Sequence, residues 1–403
     1  MSSFALLIWI YDQTGRATNV ALLGFFWFLP VIAFGPLAGV LVDRHDRRRI
    51  MLLADTGAAA MTVGILVLYA SGTLAVWHLY IAEMISGACW AFQGPAYTAA
   101  TTMLLPPQHY ARASGLRSVA MFGAEAVAPF LAGVAVVALG IGGVLVIDLV
   151  TFLFAVTTLL GVQIPPPAAK VDGEPGFLDE LREGFRFIRI RSGLLALLAI
   201  YTGINLFAAL TYYAILPPMV LARTGSDSIA LASVQSASGF GAVAGGLVMG
   251  VWGGPRRKIH GVLAAAAISF LLGDLLFAIG RTLPVWIGAA FIGSFFIPII
   301  LGSDLAIWQS KVPPALQGRV FSLRSAIRMS TMPLGYLVGG LLADRVFEPA
   351  MRADGALAPI LGGLVGVGPG AGMAAMFVFT AIAGTVMSLA GYLSPAVRTV
   401  ESG

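Results

Sequence analysis

The run Gly35-Pro36-Leu37-Ala38-Gly39-Val40-Leu41-Val42-Asp43-Arg44-His45-Asp46-Arg47-Arg48-Arg49 joins a glycine-spaced apolar helix to a knot of charge. Six of the seven residues from Asp43 to Arg49 are charged, in a chain only 11% charged overall. Hydrocarbon cannot solvate such a knot, so it must lie in water between two membrane helices. Loops rich in Lys and Arg stay on the cytoplasmic side, and this loop therefore sets the orientation expected for the whole chain.

The rest of the chain reads as membrane helices. It is 58% hydrophobic with a mean hydropathy of +0.90, well beyond a soluble domain, which excludes a soluble enzyme. A span takes about 20 apolar residues. Runs at 19–42, 50–70, 74–105, 114–139, 142–164, 194–221, 229–252, 261–279, 283–308, 321–343 and 371–393 predict eleven complete spans. A stub at 4–11 precedes them and is too short to cross. Residues 1–11 lack the basic start and cleavage site of a secretory signal peptide. The single Cys89 has no partner and allows neither a disulfide framework nor a cysteine metal site. A pI near 9.5 here reports topology and anionic lipid rather than nucleic acid.

Nineteen of the 24 Lys and Arg residues fall on the side of the Asp43–Arg49 loop; Arg16, Arg223, Arg281, Arg345 and Arg352 fall on the other. The imbalance predicts a cytoplasmic middle loop and C-terminus, in a plasma (inner) membrane. The middle loop, 165–193, opens with three prolines and continues as a charged amphipathic stretch suited to the membrane surface. It divides an N-terminal helix bundle, 1–164, from a C-terminal one, 194–403. A second loop, 345–370, is rich in Gly and Pro and lies on the opposite face.

The two halves read as repeats. Arg256-Arg257-Lys258 follows a helix containing Gly241, Gly245, Gly246 and Gly250, as Arg47-Arg48-Arg49 follows Gly35 and Gly39. Superposing the triplets sets an offset of 209 residues, which places the counterpart of the helix near Leu194 about fifteen residues before Met1. The expectation is a first span cut short, with an upstream start. In the second copy Trp252 and Gly253 stand in the places of Asp43 and Arg44, so only one half carries the full charge network.

Gly35-x-x-x-Gly39-x-x-x-Asp43-Arg44-x-x-Arg47-Arg48-Arg49 resembles the loop 2–3 signature of the major facilitator superfamily. Gln93-Gly94-Pro95-Ala96-Tyr97, Arg112-Ala113-Ser114-Gly115-Leu116, Asp148-Leu149-Val150-Thr151-Phe152, Gln309-Ser310-Lys311-Val312-Pro313 and Gln317-Gly318-Arg319-Val320-Phe321 look like its drug-efflux branch, the macrolide and siderophore exporters. The resemblance covers nearly the whole chain. It implies an all-α polytopic membrane protein of two pseudo-symmetric six-helix bundles, a twelve-span plan with the first span truncated. It also implies a gate built from Gly35, Gly39, Asp43, Arg44, Arg47 and Arg48. Asp43 would pair with an Arg and face the N-terminus of the span beginning near Phe321. The fifth-span antiporter motif of related exporters survives only in degraded form at 128–133.

Glu125 stands about eleven residues into the fifth span, where an ionised carboxylate costs at least about 2.5 kcal/mol. Such a group faces water, meets a partner or carries a proton, so Glu125 is the leading proton-coupling candidate. Glu83, in the fourth span, is the second. Asp304 and Arg328 on the tenth and eleventh spans can pair along a cavity, while Asp148 and Asp274 fall on spans that the resemblance places outside it and are expected to be structural. Trp90, Gln93, Tyr201, Asn205, Phe207, Tyr212 and Gln235 lie on helices that resemble cavity-lining ones, although ordinary helix packing accounts for any single one of them. Small-residue spacings such as Gly241-x-x-x-Gly245 permit close helix contact.

The chain holds no nucleotide-binding Gly-rich loop, metal-ligand cluster or Ser/His/Asp arrangement, and its four histidines sit in or beside loops. The expectation is a secondary active transporter, not an enzyme, with a proton gradient in place of any cofactor. It would export small amphipathic compounds as a monomer, with the lipid bilayer and its substrate as partners. A dedicated exporter of one metabolite, such as a siderophore, and a non-transporting membrane scaffold or sensor are the alternatives.

Overall fold

The computed structural model describes residues 1–106, 109–162, 164 and 177–401. Stretch 165–176 of the expected middle loop lies outside the described residues, as do the side chains of Asp43 and Arg44. Among the described residues the chain is all helix and loop. The first half comprises α1 (Ser2–Thr14), α2 (Ala17–Arg44), α3 (Arg47–Ala70), α4 (Val76–Leu104) and α5 (Tyr110–Gly161). The connecting helix α6 (Phe177–Arg189) follows. The second half opens with α7 (Ser192–Ala208), a π-helical turn (Ala209–Tyr213), α8 (Leu216–Thr224) and α9 (Ser228–Trp252). Next come α10 (Lys258–Ile268), a second π-helical turn (Ser269–Asp274), α11 (Leu275–Ile279), α12 (Leu283–Phe295) and α13 (Ile297–Lys311). It ends with α14 (Pro314–Met329), α15 (Thr331–Leu342), a third π-helical turn (Ala343–Phe347), α16 (Glu348–Ala350), α17 (Ala358–Val365), α18 (Ala371–Ala390) and α19 (Pro395–Arg398).

Eight helical stretches among the described residues are long and apolar enough to cross a membrane. One of them, Gly123–Gly161, runs 39 residues, longer than any single span needs. Gly140 divides it with φ 67°, a left-handed conformation open to glycine at little steric cost, so the apolar run folds back as two spans. Helix α4 and the α14–α15 pair have the length but more polar side chains, and they complete the eleven. The 13-residue α1 rises about 20 Å, short of the ~30 Å hydrocarbon core. It buries Phe4, Leu6, Ile8 and Ile10 against its neighbours. The loop expected at 345–370 is partly helical: the helix before it continues through the third π-helical turn, and α17 packs within it.

Acidic side chains start many of these helices by accepting from backbone N–H groups that have no partner within the helix. Asp46 accepts from Arg48 N at 2.9 Å to begin α3, and Asp227 from Ile229 N at 2.8 Å to begin α9. Glu348 reaches Met373 N at 3.0 Å in α18, and Glu401 reaches Ile259 N at 2.7 Å in α10. Burial raises the Glu348 carboxyl above its ordinary range, against the lowering effect of the helix N–H groups it accepts from. Helix α6 docks on the second half: Gly184 lies against the Arg319 backbone, Glu183 pairs with Arg319, and Phe187 and Ile188 are buried.

Small residues let α9 and α12 touch. A β-carbon added at Gly241 or Gly245 would collide with the carbonyls of Phe291 or Phe295. Gly250, five residues further on and on another face of α9, faces open space. Gly245→Val is therefore expected to destabilise the protein by at least about 1–3 kcal/mol. Gly250→Ala is expected to be neutral or stabilising by up to about 1 kcal/mol. Thermal melting of the two purified variants side by side checks the contrast; equal melting points would mean α9 and α12 are not in contact as described.

Candidate functional site

Among the described residues the two halves meet chiefly along two helix pairs, α2 with α15 and α5 with α9, with smaller contacts of α1 and α2 on α8. Both pairs touch toward the end opposite the Asp43–Arg49 loop (the far end; the loop marks the basic end). In the first pair, α15 packs on α2. Thr18 Oγ1 donates to Gly340 O at 2.9 Å, and a β-carbon on Gly340 would stand 2.8 Å from Ala21 Cβ. Asp344 then closes the end: its two carboxylate oxygens accept from Ala17 N at 3.0 Å and Thr18 N at 2.8 Å. A side chain of one half thus caps the first turn of a 28-residue helix of the other, where free N–H groups and the helix dipole favour a negative charge. Beyond the cap a polar cavity of about 790 Å³ is lined by Arg16, Arg345, Glu348 and Arg352.

Toward the basic end the same pair separates. Gly24 lies directly under the Tyr336 ring of α15. Gly35 is eleven residues, about three turns, further along and so on the same face of α2. Yet nothing stands within 4 Å of a β-carbon at Gly35 or at Gly39. The glycine stripe that admits α15 at the far end is uncovered at the other.

In the second pair, α5 crosses α9. A β-carbon on Gly133 would stand 3.2 Å from Ser228 O, and one on Gly239 would collide with the Ala126 backbone. Nothing approaches Gly123, the next turn toward the basic end. Glu125 adjoins Ala126, where α5 and α9 part, and its side chain is exposed. It lies close enough to Tyr212 and Tyr213 to act on them electrostatically.

The structure also brings Asp304 and Arg328 together, with Arg328 Nη1 donating to Asp304 Oδ2 at 3.3 Å. The tighter partner is Arg324, one turn earlier on α14, which pairs with the same oxygen. Trp308 Nε1 donates to Asp304 Oδ1 at 3.1 Å. Asp304 is 1% exposed and Arg324 6%, so this ion pair is dry. The guanidinium of Arg328 lies 3.7 Å from the centre of the Tyr201 ring, and that of Arg324 lies 5.1 Å from Trp308.

The other sequence candidates are dispersed. Asn205 and Tyr212 line a small cavity inside the second half, where the Tyr212 hydroxyl meets Ser294 Oγ at 3.1 Å. Phe207 packs edge-on to Phe270, and Trp90 tilts against Trp27. Gln93 donates to Asp55, Gln235 is half-buried on α9, and half-buried Glu83 acts electrostatically on Tyr336. In the basic knot Arg47 is buried, and Arg48 donates from Nε to Leu159 O at 3.2 Å and also to Leu160 O. Arg48 therefore caps the last carbonyls of α5, where a cation is favoured.

Asp344 and Arg324 escape the sequence reading, though both leave a signal. Arg324 and Arg328 are four apart and share a helix face. Gly340-x-x-x-Asp344-Arg345 repeats Gly39-x-x-x-Asp43-Arg44. The full charge network was expected in one half only, because Trp252 and Gly253 replace the acid and base in the basic-triplet copy. The glycine–acid–base spacing recurs instead at the far end of the helix that packs on α2.

Two bundles of membrane helices touch at one end and part at the other. Residues 1–336 match the family model of the Major Facilitator Superfamily, and the chain belongs to that superfamily. It is 30% identical to macrolide efflux protein A of Streptococcus pyogenes over 354 residues, 85% of each chain. It is 26% identical to the multidrug efflux pump Tap of Mycobacterium tuberculosis, over 89% of this chain and 86% of that one. A variant of the nucleoside transporter NupG shares the fold at TM-score 0.66 and 14% identity, over 96% of this chain and 94% of that one. A bacterial homolog of the human lysosomal transporter Spinster does so at TM-score 0.62 and 17% identity, over 99% and 96%.

Proposed function

We propose that this protein exports small amphipathic compounds, drugs such as macrolides among them, across the plasma membrane in exchange for protons. The basic end faces the cytoplasm, in keeping with its excess of Lys and Arg, which makes the far end extracytoplasmic. On this reading the structure is the state open to the cytoplasm, and one monomer is the working unit because both halves of one chain flank the opening. The names of the efflux relatives favour export of drugs over uptake.

The observation that carries the reading is the place of Glu125. It is an exposed carboxylate next to the Ala126–Gly239 contact, on the side where nothing approaches Gly123, and on this reading it lines the opening a substrate would enter. A proton on Glu125 and a cationic or polar substrate would then compete for one place. Substrate entering from the cytoplasm displaces the proton, the halves rock, and a proton arriving from the far side displaces the substrate.

Efflux of a drug panel from cells, with and without a proton uncoupler, tests this. Glu125→Gln is expected to lower uncoupler-sensitive export at least tenfold while the protein still reaches the membrane. Export that persists after uncoupling, or that ignores Glu125→Gln, would contradict proton exchange through this residue.

A further inference from the structure

Asp274 has no place in the mechanism above, yet it is a carboxylate buried within the second half. It is 7% exposed and has no ion pair among the described residues. Its neighbours are hydroxyls. Thr380 Oγ1 donates to Asp274 Oδ2 at 2.7 Å, and Thr211 Oγ1 lies 3.2 Å from Thr380 Oγ1, one hydroxyl further from the carboxyl.

The titratable groups on the surrounding helices are few. Helices α11, α12 and α18 contribute none; α10 has only Lys258 and His260 at its start, and α13 has Asp304, already held by Arg324, and Lys311 at its end. The first π-helical turn and α7 supply Tyr201, Tyr212 and Tyr213, while Glu125 acts on Tyr212 and Tyr213. An ionised Asp274 would therefore be a buried charge without a counter-charge, which is strongly unfavourable, whereas the acid form is satisfied by hydroxyls.

Two further features set it apart from a static polar contact. Asp274 and Thr211 each belong to a π-helical turn, Ser269–Asp274 and Ala209–Tyr213. Such turns are frequent at functional sites. The carboxyl also borders a cavity of about 100 Å³, room for a few waters. Tyr213, Tyr212, Asn205 and Tyr201 line it from α7 and its π-helical turn. The Tyr201 ring underlies Arg328 beside the Asp304 cluster. Asn205, Ser269 and Tyr212 offer polar stations in its wall.

We propose that Asp274, with Thr211 and Thr380, is a second proton-binding site, which takes up and releases its proton through this cavity. The inference deepens the proton-exchange reading and rests on it for its physiological purpose, but the site itself can be read without transport. Infrared difference spectra, alkaline minus acid, of the whole protein in lipid nanodiscs report any carboxyl that loses a proton. A protonated-carboxyl C=O band is expected to vanish on alkalinisation in the native protein and in Glu125→Gln, and to be missing from Asp274→Asn. A difference spectrum in which Asp274→Asn matches the native protein would overturn the proposal. Should Asp274→Asn fail to fold, Thr380→Val removes the donor to Oδ2 and must shift the frequency of the same band; an unshifted band overturns the site. Uncoupler-insensitive export alongside a band that titrates would instead defeat proton exchange and leave the site standing.

Discussion

Asp304→Ala is expected to be the most damaging single substitution in the second half. It strands Arg324, 6% exposed, without its carboxylate. Breaking a buried pair by removing one partner costs about 3–5 kcal/mol, because the surviving charge has lost the water it would need. Arg328 suffers less, since its guanidinium keeps its contact with the Tyr201 ring. The purified variant should melt well below Gly245→Val and show no export. The double substitution Asp304→Leu with Arg324→Met removes both charges at similar volume and is expected to recover part of the lost stability. Melting of Asp304→Leu, Arg324→Met and the double variant gives the coupling energy. An Asp304→Ala protein within about 0.5 kcal/mol of the native one, the range of an ordinary surface substitution, would show that the pair is not buried as described.

Asp344→Ala is expected to act on the equilibrium between states rather than on the fold. The two bonds from Ala17 N and Thr18 N exist only while α15 lies on α2, so the substitution weakens the far-end-closed state alone. A helix cap of this kind is worth about 1–2 kcal/mol, which shifts the ratio of the two states about 5- to 30-fold. Asp344→Asn keeps an acceptor without the charge and should fall between. A cysteine at Asn19, in a Cys89→Ala background, should react with a membrane-impermeant maleimide from outside correspondingly faster when Asp344 is replaced. An unchanged labelling rate would show that the cap does not hold this end closed.

What could be read from the sequence follows from how local each signal is. The spans were legible because an apolar run in lipid has few alternatives to helix. The break near residue 140 was legible as well, because Gly140 and Gly142 interrupt one long run. The pairing of Asp304 with Arg328 needed only two charges on neighbouring spans. The stronger partner Arg324 was hidden because rotation of α14 about its axis decides which of two arginines on one face is buried, and no local pattern records that rotation. Asp344 was hidden differently: the sequence repeats Gly-x-x-x-Asp-Arg in plain view, but its meaning depends on α2 and α15 lying antiparallel. The expectation that Asp274 is structural came from where the resemblance places its span, and the proposal above sets a second reading beside it. The two π-helical turns that bring Thr211 and the carboxyl together are irregularities that helical periodicity cannot foresee.

The central claim is that export is driven by protons passing through a site that includes Glu125. Proteoliposomes holding the purified protein, a macrolide and a lumenal pH dye, with no imposed proton gradient, test it directly. Macrolide leaving down its own gradient should carry protons inward, so the lumen should acidify with the native protein and hold its pH with Glu125→Gln. Macrolide flux through the native protein with no change in lumenal pH would contradict the account.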